Sequence, residues 1–153
     1  TCAKGTLLGQ HVCFINGGAG NDVMNWIVTC IENSGEFQCN ADGGAGHDQI
    51  NLQLGTETTP VDFKGVVDYF ADTGSGDDEW NAIVNFTGDS DGVVSTFTVL
   101  LGDGSDAALL GFIGLGNTQI LEGLVDGGAG DDTYVGPPPI LLTFPVSNFE
   151  IGV

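Results

Sequence analysis

The residues with the clearest chemical potential are aspartates that end five short glycine-rich loops. These aspartates are Asp22, Asp48, Asp78, Asp106 and Asp132. Glycine backbone reaches conformations that let carbonyl oxygens converge. Carbonyl oxygens and a carboxylate together make the hard environment that Ca²⁺ prefers, with about 6 to 8 oxygen ligands. The loops are therefore candidate calcium sites.

The five loops recur at nearly constant spacing. They begin at Gly17, Gly43, Thr73, Leu101 and Gly127, so that successive loops start 26, 30, 28 and 26 residues apart. A period of this size is typical of one supersecondary unit stacked on itself. A chain of 153 residues has room for about five such units and little else.

Alternating hydrophobicity on both sides of each loop predicts a strand before it and a strand after it. The second position after the final aspartate is Met24, Ile50, Trp80, Ala108 or Tyr134. The second position before the loop is Ile15, Ala41, Ala71, Val99 or Val125. Turn-forming residues such as Asn33-Ser34-Gly35 separate the two strands. Each unit is thus predicted to contain a loop, a strand, a turn and a second strand.

Two topologies fit this order, namely coils stacked in parallel or a chain of antiparallel hairpins. Equivalent residues fall into columns, which favours parallel coils. One outward-facing column contains Asn25, Asn51 and Asn81. Stacked asparagines form amide ladders, although asparagine is also common near turns. We predict an all-β fold, a parallel β-solenoid of about five coils of 26–30 residues with the acidic loops on one edge.

The loops resemble the Gly-Gly-x-Gly-x-Asp-x-U-x nonapeptide of RTX proteins, a family of calcium-binding parallel β-rolls. The loops that begin at Gly17, Gly43 and Gly127 match its glycines and its aspartate, and an apolar residue fills each U position. The usual roll carries a motif on both edges at about nine-residue intervals. The chain is therefore similar to a wider relative with one metal edge and one plain edge.

In that family each ion lies between successive loops, so the resemblance implies up to four Ca²⁺ ions between the five loops. The implied metal-ligating residues are Gly17, Ala19, Asp22, Gly43, Ala45, Asp48, Thr73, Ser75, Asp78, Asp106, Gly127, Ala129 and Asp132. Thr73, Leu101 and Asp103 depart from the motif in the third and fourth loops. Without cations the clustered carboxylates would repel one another, so calcium binding and folding are expected to be coupled. The alternative is a set of ordinary Gly-Asp turns without metal.

The charge of the chain excludes several classes of partner. There are 21 acidic residues against two lysines, for a formal charge of −19, which argues against nucleic acids and anionic membranes. A hydrophobic content of 41% distinguishes the chain from a disordered acidic tail. No apolar run reaches the roughly 18 residues of a membrane span. Because Thr1 resembles a processed start, we expect an extracellular or cell-surface protein.

The four cysteines agree with export. Cys13 and Cys39 each lie four residues before a loop, which would make them neighbours on adjacent coils. Cys30 and Cys39 instead flank one turn. In either case the remaining cysteine would pair with Cys2. The sequence predicts disulfides near the amino terminus without choosing between these pairings.

No convincing catalytic group is present. Hydrolases of the RTX family carry catalysis in a separate domain, and only 16 residues precede the first loop. His11 is isolated, and His47 fills a variable loop position. A lyase acting on acidic sugars would need basic side chains, but Lys4 and Lys64 are the only lysines. We predict no enzymatic activity, no catalytic residues and no organic cofactor.

The ends of the chain suggest assembly. Residues 1–136 are predicted to form the calcium-stapled stack with an incomplete first coil, and residues 137–153 a further coil or an inter-subunit segment. Neither end resembles the polar cap that solenoids usually carry. We therefore expect a structural protein that polymerises head to tail into a filament or surface layer. The alternatives are a repeat module of a large RTX-type adhesin and, third, a polysaccharide-acting enzyme. A cell-surface or matrix polysaccharide is a further candidate partner.

Overall fold

The computed structural model describes residues 6–7, 9–29, 32–56, 58–137 and 144–150. Within these ranges every regular element is a β-strand. The strands are β1 (Thr6–Leu7), β2 (Gln10–Ala19), β3 (Val23–Val28), β4 (Glu32–Asn33), β5 (Glu36–Ala45), β6 (Gln49–Leu54), β7 (Asp62–Phe63), β8 (Val66–Asp72), β9 (Glu79–Asn85), β10 (Val93–Leu100), β11 (Ala107–Gly114), β12 (Gln119–Asp126), β13 (Thr133–Val135) and β14 (Val146–Ser147).

The strands pair in parallel and form three sheets that run along the stack. A six-stranded sheet has the order β14-β12-β10-β8-β5-β2, a five-stranded sheet β13-β11-β9-β6-β3, and a short sheet β1-β4-β7. Each strand pairs with its equivalent one coil away, as Ile50 pairs with Met24 and with Trp80. The predicted parallel β-solenoid of about five coils is confirmed, and the antiparallel alternative is excluded for these strands.

The core lies between the two long sheets and is built from the predicted apolar columns. Met24, Ile50, Trp80 and Ala108 are buried on the five-stranded sheet. Inside the core, Nε1 of Trp80 donates a 3.0 Å hydrogen bond to the hydroxyl of Tyr69 on the six-stranded sheet. This bond satisfies two polar groups that burial would otherwise make costly.

The outer face of the five-stranded sheet carries the predicted amide ladder. Nδ2 of Asn51 donates to Oδ1 of Asn25, and Nδ2 of Asn81 donates to Oδ1 of Asn51, both at 3.1 Å. Each bond runs from one coil to the coil before it. The ladder is therefore confirmed, and it is directional.

The acidic loops connect the two long sheets along one edge and nest on each other. Gly44 shows why glycine is needed there, because its φ is +99° and a methyl group on its Cα would overlap the carbonyl of Gly18 in the preceding coil. Gly20, by contrast, has a φ of +123° with open space around it. At positions of close contact such as Gly44, the absence of a side chain lets successive loops approach this closely.

Residues 144–150 pack against their own chain. Phe144 is buried against Gly123, and its ring centroid lies 5.6 Å from that of Phe97. β14 pairs with the end of β12. Phe144 therefore extends the apolar core into the tail. The described tail residues form the beginning of a sixth coil.

Candidate metal centre

The aspartates that end the loops form one column along the edge of the stack. From the second aspartate onward, Oδ1 accepts the backbone N–H of the equivalent aspartate one coil earlier. The donor and acceptor pairs are Asp22 and Asp48 (2.8 Å), Asp48 and Asp78 (2.7 Å), Asp78 and Asp106 (2.7 Å), and Asp106 and Asp132 (2.9 Å). The loops that the sequence singled out are therefore in contact, coil upon coil.

The second carboxylate oxygen of every aspartate in the column has no donor. Oδ2 of Asp22, Asp48, Asp78, Asp106 and Asp132 is buried without a hydrogen-bond partner among the described residues. A buried anionic oxygen without a partner is costly. A cation in contact with these oxygens would offset that cost, so the column fits a metal ion.

In the first two loops, a carbonyl oxygen faces the same point as Oδ2. A methyl group placed on Gly17 would lie 2.9 Å from Oδ2 of Asp22 and 2.7 Å from the carbonyl oxygen of Gly43. The equivalent point at Gly43 lies 2.8 Å from Oδ2 of Asp48 and close to the carbonyl oxygen of Thr73. Glycine leaves this point open, and two oxygens approach it. We term such a point an oxygen cradle.

The fifth loop has a third cradle. The equivalent point at Gly127 lies 2.9 Å from Oδ2 of Asp132 and close to the carbonyl oxygen of Asn148. Asn148 belongs to the tail and is the one non-glycine residue with positive φ, at 57°, in the part of the chain that the structure describes. The tail therefore supplies the oxygen that a sixth loop would otherwise provide.

Loops three and four have a side chain where the other loops have a cradle. Thr73 is fully buried, and its hydroxyl donates a 2.5 Å hydrogen bond to the carbonyl of Leu101. Leu101 is also fully buried. Both residues place a Cβ at the point that glycine leaves open. The two loops that match the motif less well therefore lack a cradle. Three cradles are left, beside Gly17, Gly43 and Gly127.

Carbonyl oxygens at the third loop position already hold the loops together. The Ala45 carbonyl accepts the N–H of Gly20 at 2.8 Å, and that of Ser75 accepts the N–H of Gly46 at 2.9 Å. The Ala129 carbonyl likewise accepts an N–H from loop four, and Ala19 is paired with Ala45 through β2 and β5. Each carbonyl keeps a second lone pair. The first-position carbonyls are nevertheless the better placed ligands.

No three side chains of His, Cys, Asp or Glu converge on one point among the residues that the structure describes. A cation in a cradle would therefore take most of its ligands from backbone oxygens and water. Both ligand types are usual for Ca²⁺.

Burial raises the pKa of several carboxyl groups in the column. The pKa of Asp106 rises to about 6, first because of burial and then because of the neighbouring charges of Asp78 and Asp132. Burial is also the main cause of the raised pKa of Asp78 and of Asp132. A raised pKa means that the ionised form is disfavoured. Protons and a bound cation would therefore compete for these oxygens.

The carboxylate of Glu150, which sequence reasoning missed, continues the hydrogen bonding of the column from the position after the aspartate register. Its Oε2 accepts the N–H of Asp132 at 2.7 Å, and its own N–H donates to the Asp132 carbonyl at 3.0 Å. It lies 18 residues after Asp132 and follows no glycine. Neither the repeat interval nor the motif could have identified it.

The other residues that the sequence singled out include the four cysteines and His47. Cys13 and Cys39 are neighbours in register, as one of the two pairings required, but both are free thiols. Burial raises the pKa of Cys39, and Cys13 adds to the shift. Cys2 and Cys30 lie outside the described residues. His47 is exposed, and its backbone N–H donates to Oδ1 of Asn21.

No protein-family model, curated protein sequence or solved structure matches this chain. Across the described ranges, the fold contains no helix with the length and apolarity needed to cross a bilayer.

Proposed function

We propose that the protein is a non-catalytic extracellular β-solenoid that calcium holds together and that assembles with copies of itself into a filament or surface layer. The observation that carries the proposal is the column of buried Oδ2 atoms without hydrogen-bond partners along one edge. This edge also concentrates the negative charge of a chain whose formal charge is −19.

The chemistry of the cradles favours Ca²⁺ over other metals. Each cradle offers one carboxylate oxygen and one carbonyl oxygen from the following coil. Such oxygens suit hard cations, whereas thiolates and imidazoles select softer ones. Mg²⁺ demands near-ideal octahedral geometry and gives up water reluctantly, while Ca²⁺ tolerates irregular cages. A site with one carboxylate oxygen, one carbonyl oxygen and water therefore suits the larger ion.

An extracellular location agrees with the small number of protein oxygens in each cradle. Extracellular modules bind Ca²⁺ with a Kd of about 10⁻⁴–10⁻³ M, far more weakly than cytosolic buffers. A cradle with two well-placed protein oxygens belongs at the weak end of this range. A bound ion would join two coils, so binding would stabilise the stack.

Thermal unfolding tests the calcium proposal. Circular dichroism melts in Ca²⁺, in Mg²⁺ and in chelator should show a higher Tm in Ca²⁺ alone. Asp48→Asn removes a charge from the second cradle and should reduce this rise, because its Oδ2 faces the open point beside Gly43. Asp89→Asn is the matched control, since Asp89 is exposed in a turn. An equal Tm in Ca²⁺ and in chelator would exclude the proposal.

A repeat module of a larger adhesin is the second candidate. The open edge of β2, which has one neighbour among the described strands, would equally accept a coil of the same polypeptide. Size-exclusion chromatography in Ca²⁺ separates the two functions. Concentration-dependent polymers support the self-assembling filament, and a calcium-stabilised monomer at all concentrations supports the module.

A further inference from the structure

We propose that copies of the chain dock head to tail through one specific pair of strand edges, β14 of one copy against β2 of the next. The inference rests on the self-assembling role proposed above and identifies the two surfaces involved. It follows from the direction of the side-chain ladders and from the register of the tail.

The ladders leave an acceptor and a donor at the first coil. In every later coil, Oδ1 of the aspartate accepts an N–H from the coil before it, as Asp48 accepts from Asp22. Each ladder asparagine donates its Nδ2 to the coil before it, as Asn51 donates to Asn25. Asp22 Oδ1 and Asn25 Nδ2 have no such partner among the described residues. Both face the side on which a preceding coil would lie.

The tail offers the complementary donor. The N–H of Glu150 donates to the carbonyl of Asp132, just as the N–H of Gln49 donates to the carbonyl of Asp22. Glu150 therefore has the register of the residue after a loop aspartate, and Phe149 has the register of the aspartate itself. The N–H of Phe149 has no partner within the described ranges. In a head-to-tail stack it would meet Oδ1 of Asp22 in the next copy.

The backbone edges match in the same register. Val125 N–H donates to the Pro145 carbonyl and Gly127 N–H to the Ser147 carbonyl. Since backbone groups alternate in direction along a strand, the N–H and C=O of Val146 point away from β12. Val146 could therefore pair with a further strand without losing its own contacts.

On β2, the alternation exposes the complementary groups. The N–H of Glu36 donates to the Gly9 carbonyl, so the N–H and C=O of even-numbered residues, Phe14 and Asn16 among them, point to the open edge. Ile15 occupies the column that ends in Val146. Continuing this column across two copies would direct the Val146 N–H to the Phe14 carbonyl and the Asn16 N–H to the Val146 carbonyl.

The composition of β2 favours a second copy of the chain as the partner that pairs with its open edge. The strand is ten residues long, QHVCFINGGA, and contains no Asp, Glu, Lys or Arg. Natural edge strands are usually blunted by charge, proline or a bulge. In a chain with a formal charge of −19, an uncharged edge is where two copies repel each other least.

Core residues at both ends would gain cover from the same contact. Cys13, Ile15 and Trp26 in the first coil are only partly buried, as are Val146 and Phe149 in the tail. Stacking would place one set over the other and continue the core. Solenoid repeats are stabilised mainly by such contacts with their neighbours.

Proline substitutions on the two edges test the proposal. Asn16→Pro removes the N–H that would donate to the Val146 carbonyl of another copy, and Val146→Pro removes the N–H that would donate to the Phe14 carbonyl. Neither N–H has a partner among the described residues. Light scattering after size exclusion in Ca²⁺ should show polymers for the wild type and monomers for each variant alone. An equimolar mixture of the two variants should form dimers and nothing longer, because one intact pair of edges remains. Leu109→Ala, at a side chain 45% exposed in the middle of the stack, should still polymerise.

The outcomes separate docking from the calcium proposal. Polymers of either proline variant alone, dimers of Val146→Pro alone, or no dimers in the mixture would overturn head-to-tail docking. Phe14→Pro, on the same open edge and beside the carbonyl that Val146 would bind, repeats the first arm if Asn16→Pro does not fold. Melting in Ca²⁺ and in chelator is recorded for every variant. A calcium-dependent Tm without wild-type association would refute docking alone, whereas association without a calcium-dependent Tm would refute the calcium proposal alone.

Discussion

The backbone N–H of Asp78 donates a 2.7 Å hydrogen bond to Oδ1 of Asp106 one coil further on, while Oδ2 of Asp106 is buried without a partner among the described residues. The two oxygens of one carboxylate thus differ in role. Oδ1 sets the spacing of the loops, and the negative charge shared with Oδ2 remains uncompensated. The free energy of unfolding should therefore depend on the proton or cation that neutralises this charge.

Removing the charge of Asp106 should stabilise the protein in chelator. In Asp106→Asn the amide oxygen can still accept the Asp78 N–H, and the buried charge is lost. We expect the free energy of unfolding in chelator to rise by about 1–2 kcal/mol, which is a Tm increase of about 2–8 °C for a chain of this size. Since Leu101 fills the cradle position of loop four, the calcium-induced rise should persist. A lower Tm in chelator would contradict this account.

Acidification should stabilise the calcium-free protein. The folded pKa of Asp106 is about 6, above its ordinary 3.8, and the pKa values of Asp72, Asp78 and Asp132 are raised as well. Because the folded state then binds more protons than the unfolded state, its added stability is full below about pH 4 and is lost as pH rises through about 6. Melting in chelator between about pH 7 and about pH 4.5 measures the trend. A Tm that falls steadily on acidification would show that these carboxyls do not control stability.

Two glycines of the loops should respond differently to alanine. Gly20→Ala introduces strain at a positive φ but meets no neighbouring atom, whereas Gly44→Ala also meets the Gly18 carbonyl. We expect a cost of about 1–3 kcal/mol for Gly20→Ala and a larger cost for Gly44→Ala. Chemical denaturation of both variants in Ca²⁺ measures the difference. Equal costs would mean that the loops are not in close contact.

The buried bond between Trp80 and Tyr69 should contribute measurably to stability. Tyr69→Phe leaves Nε1 of Trp80 without its acceptor in the core, which should cost about 1–3 kcal/mol. Tyr134→Phe is the control, because that hydroxyl donates to the Pro137 carbonyl in a partly buried position. If Tyr69→Phe destabilises the protein no more than Tyr134→Phe does, the hydrogen bond between the two long sheets does not contribute as described.

The sequence predicted most of the fold because each repeat unit packs against another copy of the same unit, so that the pattern of one unit also describes its neighbours. A constant distance from the loop aspartate placed Met24, Ile50 and Trp80 in one buried column and Asn25, Asn51 and Asn81 in one ladder. In a parallel stack, residues at the same distance from their loops pair with one another. No further information was needed to position the five loops.

The metal site was less predictable, because it depends on which oxygens already accept hydrogen bonds from the neighbouring coil. Sequence does not reveal that the Ala45 carbonyl accepts an N–H or that the hydroxyl of Thr73 binds the Leu101 carbonyl. The contributions of Asn148 and Glu150 come from a tail that abandons the repeat. The first glycine of the motif decides which loops keep a cradle, whereas local hydrogen bonding decides which oxygens are left to bind an ion.

Counting bound ions tests the central claim most directly. Protein stripped with chelator and titrated with Ca²⁺ is measured by native mass spectrometry, with Asp48→Asn and Asp89→Asn alongside. The account predicts three ions for the wild type and for Asp89→Asn, one for each cradle beside Gly17, Gly43 and Gly127, and fewer for Asp48→Asn. Calcium adducts that are absent, or equal in number for all three proteins, would contradict it.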